Sequence, residues 1–153
     1  MSEENQQFAI QKIYLKDVSF ESPNSPQAFT NTEWQPQINV QINSSNQAIA
    51  DDTYEVILEI TVTAKHEEKT AFLAEIKQAG IFTISGFPEE NLGGMVGAFC
   101  PETLFPFARE AVSELVSKGG FPQLLLAPVN FNALYTQQVQ QQATAQAEED
   151  TAH

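Results

Sequence analysis

The chain has 153 residues, the length of one domain with a real hydrophobic core. Hydrophobic residues make up 42% and charged residues 18%, which excludes wholesale disorder and fibrous repeats. Seven Lys plus Arg against 20 Asp plus Glu leave a formal charge of −13, so nucleic acid and anionic membrane surfaces are poor partners. The remaining polar surface is neutral, with 25 Asn plus Gln. A single cysteine makes no internal disulfide, MSEENQQ lacks the marks of a secretion signal, and no apolar run has membrane-span length. The expected setting is the cytoplasm.

Composition divides the chain into a flexible N-terminus (1–7), one domain (8–142) and a flexible acidic tail (143–153) containing Glu148, Glu149 and Asp150. The first half reads as strands and the second as helices, an α+β order. In the first strand, Phe8 to Glu21, the apolar parity changes twice. Phe8 and Ile10 share one parity, Ile13 and Leu15 take the other, and Val18 and Phe20 return to the first. Side chains alternate strictly along a strand, so each change predicts a bulge. Ser22 to Pro26 reads as a loop. A second strand follows Pro36, with Ile38, Val40 and Ile42 on one face, and the polar stretch Asn43 to Asp52 reads as a connection.

The third strand alternates cleanly through Tyr54, Val56, Leu58, Ile60 and Val62, and His66 to Lys69 make a turn. In the fourth strand, Thr70 to about Ser85, one face carries Phe72, Ala74, Ile76, Phe82 and Ile84. The other carries Leu73, Glu75, Lys77 and Ile81. Helices begin near Glu89, and Leu104, Ala108, Ala111, Val112, Leu115 and Val116 form a stripe at helical spacing that Gly119-Gly120 ends. Asn132 is the expected N-cap of a last helix, Ala133 to about Gln146. Its large apolar residues are Leu134, Tyr135 and Val139 among many glutamines, so it reads as a weakly held lid.

Catalytic groups are sparse. His66 falls in the predicted turn and His153 ends the chain, while Cys100 precedes a proline with no histidine near in sequence and reads as a small core residue. Asp51-Asp52 and Glu67-Glu68 read as solvated turn acids rather than metal ligands, and Gly93 to Gly97 lacks phosphate-loop spacing. The chain therefore reads as a binding protein without metal or cofactor, with a small α+β enzyme as the rival. On pattern alone Ile38, Val40 and Ile42 are sheet core; the alternative is an open apolar strip that receives other chains. Phe29, Trp34, Phe121 and Phe131 sit in loop-like segments where a similar question arises.

Several segments resemble the bacterial protein-export chaperone family SecB. They are Lys16 to Glu21, Trp34-Gln35-Pro36, Ala50-Asp51-Asp52 with Tyr54-Glu55-Val56, Thr70 to Leu73, and Gly80-Ile81-Phe82. Leu104 to Glu110 and Phe121 to Leu124, continuing through Ala127 to Phe131, complete a match over roughly residues 8 to 142. Phe107 and Leu125 depart mildly from the family pattern. The resemblance implies a four-stranded antiparallel sheet with helices packed on one face, assembled as a homotetrameric dimer of dimers. It implies an ATP-independent holdase that keeps unfolded precursor proteins translocation-competent and delivers them to the SecA motor ATPase, with no cofactor, no nucleic acid and no membrane insertion. Carried over by position, the client surface comprises Trp34, Ile38, Val40, Ile42 and Val139, and SecA docks at Asp17, Glu21, Leu73 and Glu75. A chaperone dedicated to one client, such as an antitoxin, is the variant reading; the full acidic set favours the generalist.

Overall fold

The computed structural model describes residues 5–30 and 33–151. Four strands, β1 (Gln7–Glu21), β2 (Gln37–Ala50), β3 (Thr53–His66) and β4 (Lys69–Ser85), form one antiparallel sheet in the order β1-β4-β3-β2. Both predicted irregularities in β1 are present, as register shifts between Ile10 and Lys12 and between Leu15 and Asp17. The shifts set Phe8, Ile10, Ile13, Leu15, Val18 and Phe20 against the inward row of β4, so all six face one side despite their changing parity. Gln78, nearly buried, donates from Nε2 to the Tyr14 carbonyl (3.1 Å) beside the second bulge.

The predicted connection after Ile42 is instead strand. Asn43 to Ala48 pair with Glu59 to Tyr54, and only Asp51 and Asp52 form the turn. A regular partner strand supplies the hydrogen bonds that the polar side chains do not advertise. Between β3 and β4, Glu67 and Glu68 both adopt positive φ (53° and 67°), the geometry of a two-residue hairpin turn.

A helical arm follows: α1 (Glu89–Gly94), a widened π turn at Met95–Phe99, and α2 (Cys100–Lys118). α2 packs on β4 and β3. Leu104, Phe105, Ala108, Val112 and Val116 are buried against Val56, Leu58, Ile60, Phe72, Ile76 and Phe82, which forms the single core. Ser113, placed outside the stripe by pattern, is also buried and accepts a hydrogen bond from Gln123 (3.1 Å). Gly120 closes the helix at φ +92°, which only glycine adopts without strain.

The last helix, α3, spans Phe131–Thr151. Its first turn is capped by Asn130, not Asn132: Asn130 Oδ1 accepts from the Ala133 N–H at 3.0 Å. The helix runs past the expected end near Gln146 and includes Glu148 and Glu149. Residues 1–4 and His153 lie outside the described residues. α3 packs chiefly on Met95–Phe99.

Candidate binding surfaces on the two faces of the sheet

Strand alternation gives the sheet a helix-covered face and an open face, and the register assigns each candidate residue to one of them. Ile38, Val40 and Ile42 pair with Ala64, Val62 and Ile60, whose side chains are buried under the helices, so the three lie on the helix-covered face. β2 is a sheet edge, and the cover thins there. Ile38 and Ile42 are half-buried against the core, and Val40 is 38% exposed. The row is neither sealed core nor free surface; it is an apolar ledge beside the core.

The ledge has structure at both ends. At the β2 start, the Trp34 ring lies 5.2 Å from Phe121 and 5.6 Å from His66. Phe121 also meets Phe29 (4.9 Å) and Phe72 (5.0 Å), and Phe72 stacks on Phe20 (5.8 Å). Of the four aromatics left open by pattern, Phe29, Trp34 and Phe121 thus form one bank, while Phe131 packs edge-on against Phe105 (5.6 Å). His66, expected in the turn, ends β3 and supports Trp34.

At the other end is a cavity of about 340 Å³ lined by Asn46, Tyr54, Leu92, Gly93, Val96 and Tyr135, among others. Tyr135 reaches it because Gly93 and Gly97 have no side chains. A Cβ on Gly97 would stand 2.5 Å from the Tyr135 ring, and one on Gly93 would stand 2.6 Å from its hydroxyl. Sequence reasoning missed this seat, although the i, i+4 glycine pair was its signal. Val139 is the candidate not joined to the ledge. It is 45% exposed, one turn beyond Tyr135 on α3.

The open face carries the acidic candidates. Asp17 pairs with Lys77, Ser19 with Glu75, and Glu21 with Leu73, so adjacency of β1 and β4 gathers Asp17, Glu21, Glu75 and Leu73 into one patch. The three acids are exposed and Leu73 is half-buried. Lys77 stands within this patch, across from Asp17 on one side and Glu59 on the other.

Beside the patch lies a network that joins Lys16 and Glu55, which sit in two separate motifs of the sequence. Glu55, 7% exposed, accepts from Lys16 Nζ at 2.9 and 3.0 Å, from Gln47 Nε2 at 3.1 Å and from the Tyr14 hydroxyl. Ala79, opposite both Tyr14 and Ile57, is short enough for β1 and β3 side chains to meet across β4. The Tyr14 and Lys16 hydrogen bonds hold the Glu55 carboxyl below the usual carboxylate range. Burial, with the neighbouring Glu55 carboxylate, pushes the Tyr14 phenol up to about 12. Because the Glu55 pKa is depressed on folding, its stabilisation is present above the unfolded value and is lost as pH falls through the folded one. Glu55→Gln should therefore cost about 1–3 kcal/mol at pH 7. In urea unfolding the gap to the parent should narrow below about pH 4.3. A pH-independent gap would remove the charge from this explanation.

Cys100 is fully buried, and burial pushes its thiol up to about 12, so it packs as a small apolar side chain and is no nucleophile at neutral pH. Among the described residues no group of three or more His, Cys, Asp or Glu is arranged to hold a metal ion. Nor is any described helix long and apolar enough to cross a membrane.

The model of the family "Preprotein translocase subunit SecB" matches residues 1–142. The chain belongs to the SecB family. A "Protein-export protein SecB" from Methylococcus capsulatus is 59% identical over 157 aligned positions, with 100% of each chain covered. One from Nitrosococcus oceani is 59% identical over 151, covering 97% of this chain and 92% of its own. The fold has a solved relative in the SecB-like chaperone Rv1957 of Mycobacterium tuberculosis, determined with a ChAD peptide from the HigA1 antitoxin. That structure gives a TM-score of 0.66 at 16% identity, covering 80% of this chain and 90% of that one. SecB membership makes the chain a protein-export chaperone.

Proposed function

We propose that the chain is an ATP-independent holdase that uses the two faces of its sheet for two different proteins. Unfolded precursors bind the helix-covered edge along Trp34, Ile38, Val40 and Ile42. The acidic patch of Asp17, Glu21, Glu75 and Leu73 docks the SecA motor ATPase, which receives the precursor for export. One observation carries this reading: the apolar ledge and the acidic patch occupy opposite faces of the same four strands.

The ledge suits a client defined by its unfoldedness. Aliphatic surface attracts without direction, worth roughly 1.5–3 kcal/mol gross for each large side chain fully buried. Ordering the client offsets much of that gain, so single ledges bind weakly and several on one oligomer hold by avidity. Val139 extends the line from Tyr135 along α3, which closes over the client as a lid. Self-association into a homotetramer, a dimer of dimers, is supported by Ile10, Leu15 and Val18 on edge strand β1, which are 46%, 50% and 42% exposed. The setting is the cytoplasm, where precursors are still unfolded, and nothing in this work needs a catalytic group or a cofactor.

The test is suppression of aggregation. The purified protein, added at about one oligomer per client, is expected to hold a chemically unfolded protein unrelated in sequence in soluble form with no nucleotide present. Aggregation at the unassisted rate over a range of clients would overturn the holdase reading.

A further inference from the structure

Four of the chain's seven cations, Lys12, Lys16, Lys65 and Lys77, stand on the open face with the acidic patch. Lys16 is the one nearest in sequence to the patch, immediately before Asp17. It is the extra residue of the second β1 bulge, between the pairs Leu15–Gln78 and Asp17–Lys77. A long cationic side chain beside an exposed carboxylate is placed to cover it, and covering Asp17 would remove charge from the surface proposed to dock a basic partner.

Lys16 does not cover Asp17. Its ammonium is drawn to both carboxylate oxygens of Glu55, at 2.9 and 3.0 Å. Glu55 is itself fixed, nearly buried on β3 and further held by Tyr14 from β1 and Gln47 from β2. The Lys16 side chain stays 42% exposed, so burial does not hold it in place once the carboxylate is removed. The network thus removes one cation from the neighbourhood of Asp17 and stores it against a buried anion.

We infer that Glu55 is a positioning residue for partner docking: by clamping Lys16 it keeps the Asp17–Glu21–Glu75 patch open and negative. This rests on the docking reading above and adds a residue that does not touch the partner. It also assigns a purpose to the bulge, which places Lys16 and Asp17 consecutively on the open face and makes a clamp necessary.

The probe is a labelled lysine-rich decapeptide, titrated at low salt into the full chain. Asp17→Asn with Glu75→Gln tests the docking reading first and should weaken binding. Glu55→Gln frees Lys16 and should weaken the same peptide about two- to five-fold. Adding Lys16→Gln to it should restore the parent affinity, which a merely structural role for Glu55 would not do. Lys16→Gln alone leaves Glu55 held by Tyr14 and Gln47, so it tests the clamp even if Glu55→Gln folds poorly. It should bind the peptide within about two-fold of the parent, because Lys16 already stands on Glu55 and covers nothing in the patch. The inference is overturned if the acid pair matters but Glu55→Gln and its double variant bind alike, or if Lys16→Gln tightens binding well beyond two-fold, which would mean that Lys16 covers Asp17 in the parent. If the acid pair has no effect, the docking reading itself falls, and the clamp with it.

Discussion

Replacing Ile38, Val40 and Ile42 together by serine should lower affinity for an unfolded client roughly ten- to hundred-fold. The row's ladder partners Ala64, Val62 and Ile60 are fully buried, so the sheet beneath the row is rigid and already dehydrated. What a client covers is the remaining surface of the three side chains themselves. About 0.5–0.9 kcal/mol for each, less than full burial would give, corresponds to the stated range. Ile38 and Ile42 also pack against the core, so the triple variant should be less stable, and unfolding must be measured beside binding. Val40→Ser alone is the cleaner probe: with 38% of its surface exposed, it should weaken binding several-fold at little cost to the fold. A folded triple variant that binds clients like the parent would remove the ledge from the account.

Charge reversal on the open face has the second largest effect. Asp17→Lys with Glu75→Lys should weaken SecA binding by about ten-fold or more at low salt, and the loss should shrink as salt is raised. The two sites are not equivalent. A lysine at position 17 faces Lys77 directly, and like charges in cross-strand register are unfavourable in their own right. Position 75 lies between Ser19 and Thr61, both neutral, so Glu75→Lys isolates the docking effect from a stability effect. Isothermal titration at two salt concentrations separates steering from contact. Equal affinity for all variants at low salt would move the docking surface elsewhere.

Which parts of this were legible in the sequence follows from how each was encoded. The β1 bulges were readable because burial of one face forces apolar residues to declare their parity, and Ile13 and Leu15 declare it out of phase. The far half of β2 was not readable. Asn43, Ser44, Ser45 and Asn46 have turn-like composition, and only the partner strand from Val56 to Glu59 makes them extended. The helix cap was misplaced by two residues because Asn130 and Asn132 are equally good caps, and burial of Phe131 against Phe105 selects the earlier start. The acidic patch was legible only on condition that β1 and β4 neighbour each other, which their pairing supplies. The Glu55 clamp left no trace in the alternation of β3, where Glu55 sits as an ordinary open-face residue. It exists because Tyr14, Lys16 and Gln47 arrive from other strands.

The Trp34 bank and the Tyr135 seat explain how a ledge of three aliphatic residues becomes a groove with ends. Phe121, from the loop after α2, joins Trp34 to the core through Phe72, and Gly93 and Gly97 admit Tyr135 from α3. The Trp34 end is aromatic, and the Tyr135 end combines apolar side chains with Glu89. Asp17, Glu21 and Glu75 lie on the face opposite the ledge, and a net charge of −13 favours repulsion between copies.

The measurement that bears most directly on two faces for two partners is a crosswise one. The Ile38/Val40/Ile42→Ser variant and the Asp17/Glu75→Lys variant are each titrated with an unfolded client and, separately, with SecA. The first should lose the client and keep SecA within about two-fold, and the second should do the reverse. Loss of both ligands by either folded variant, or of neither by both, would contradict the two-face reading.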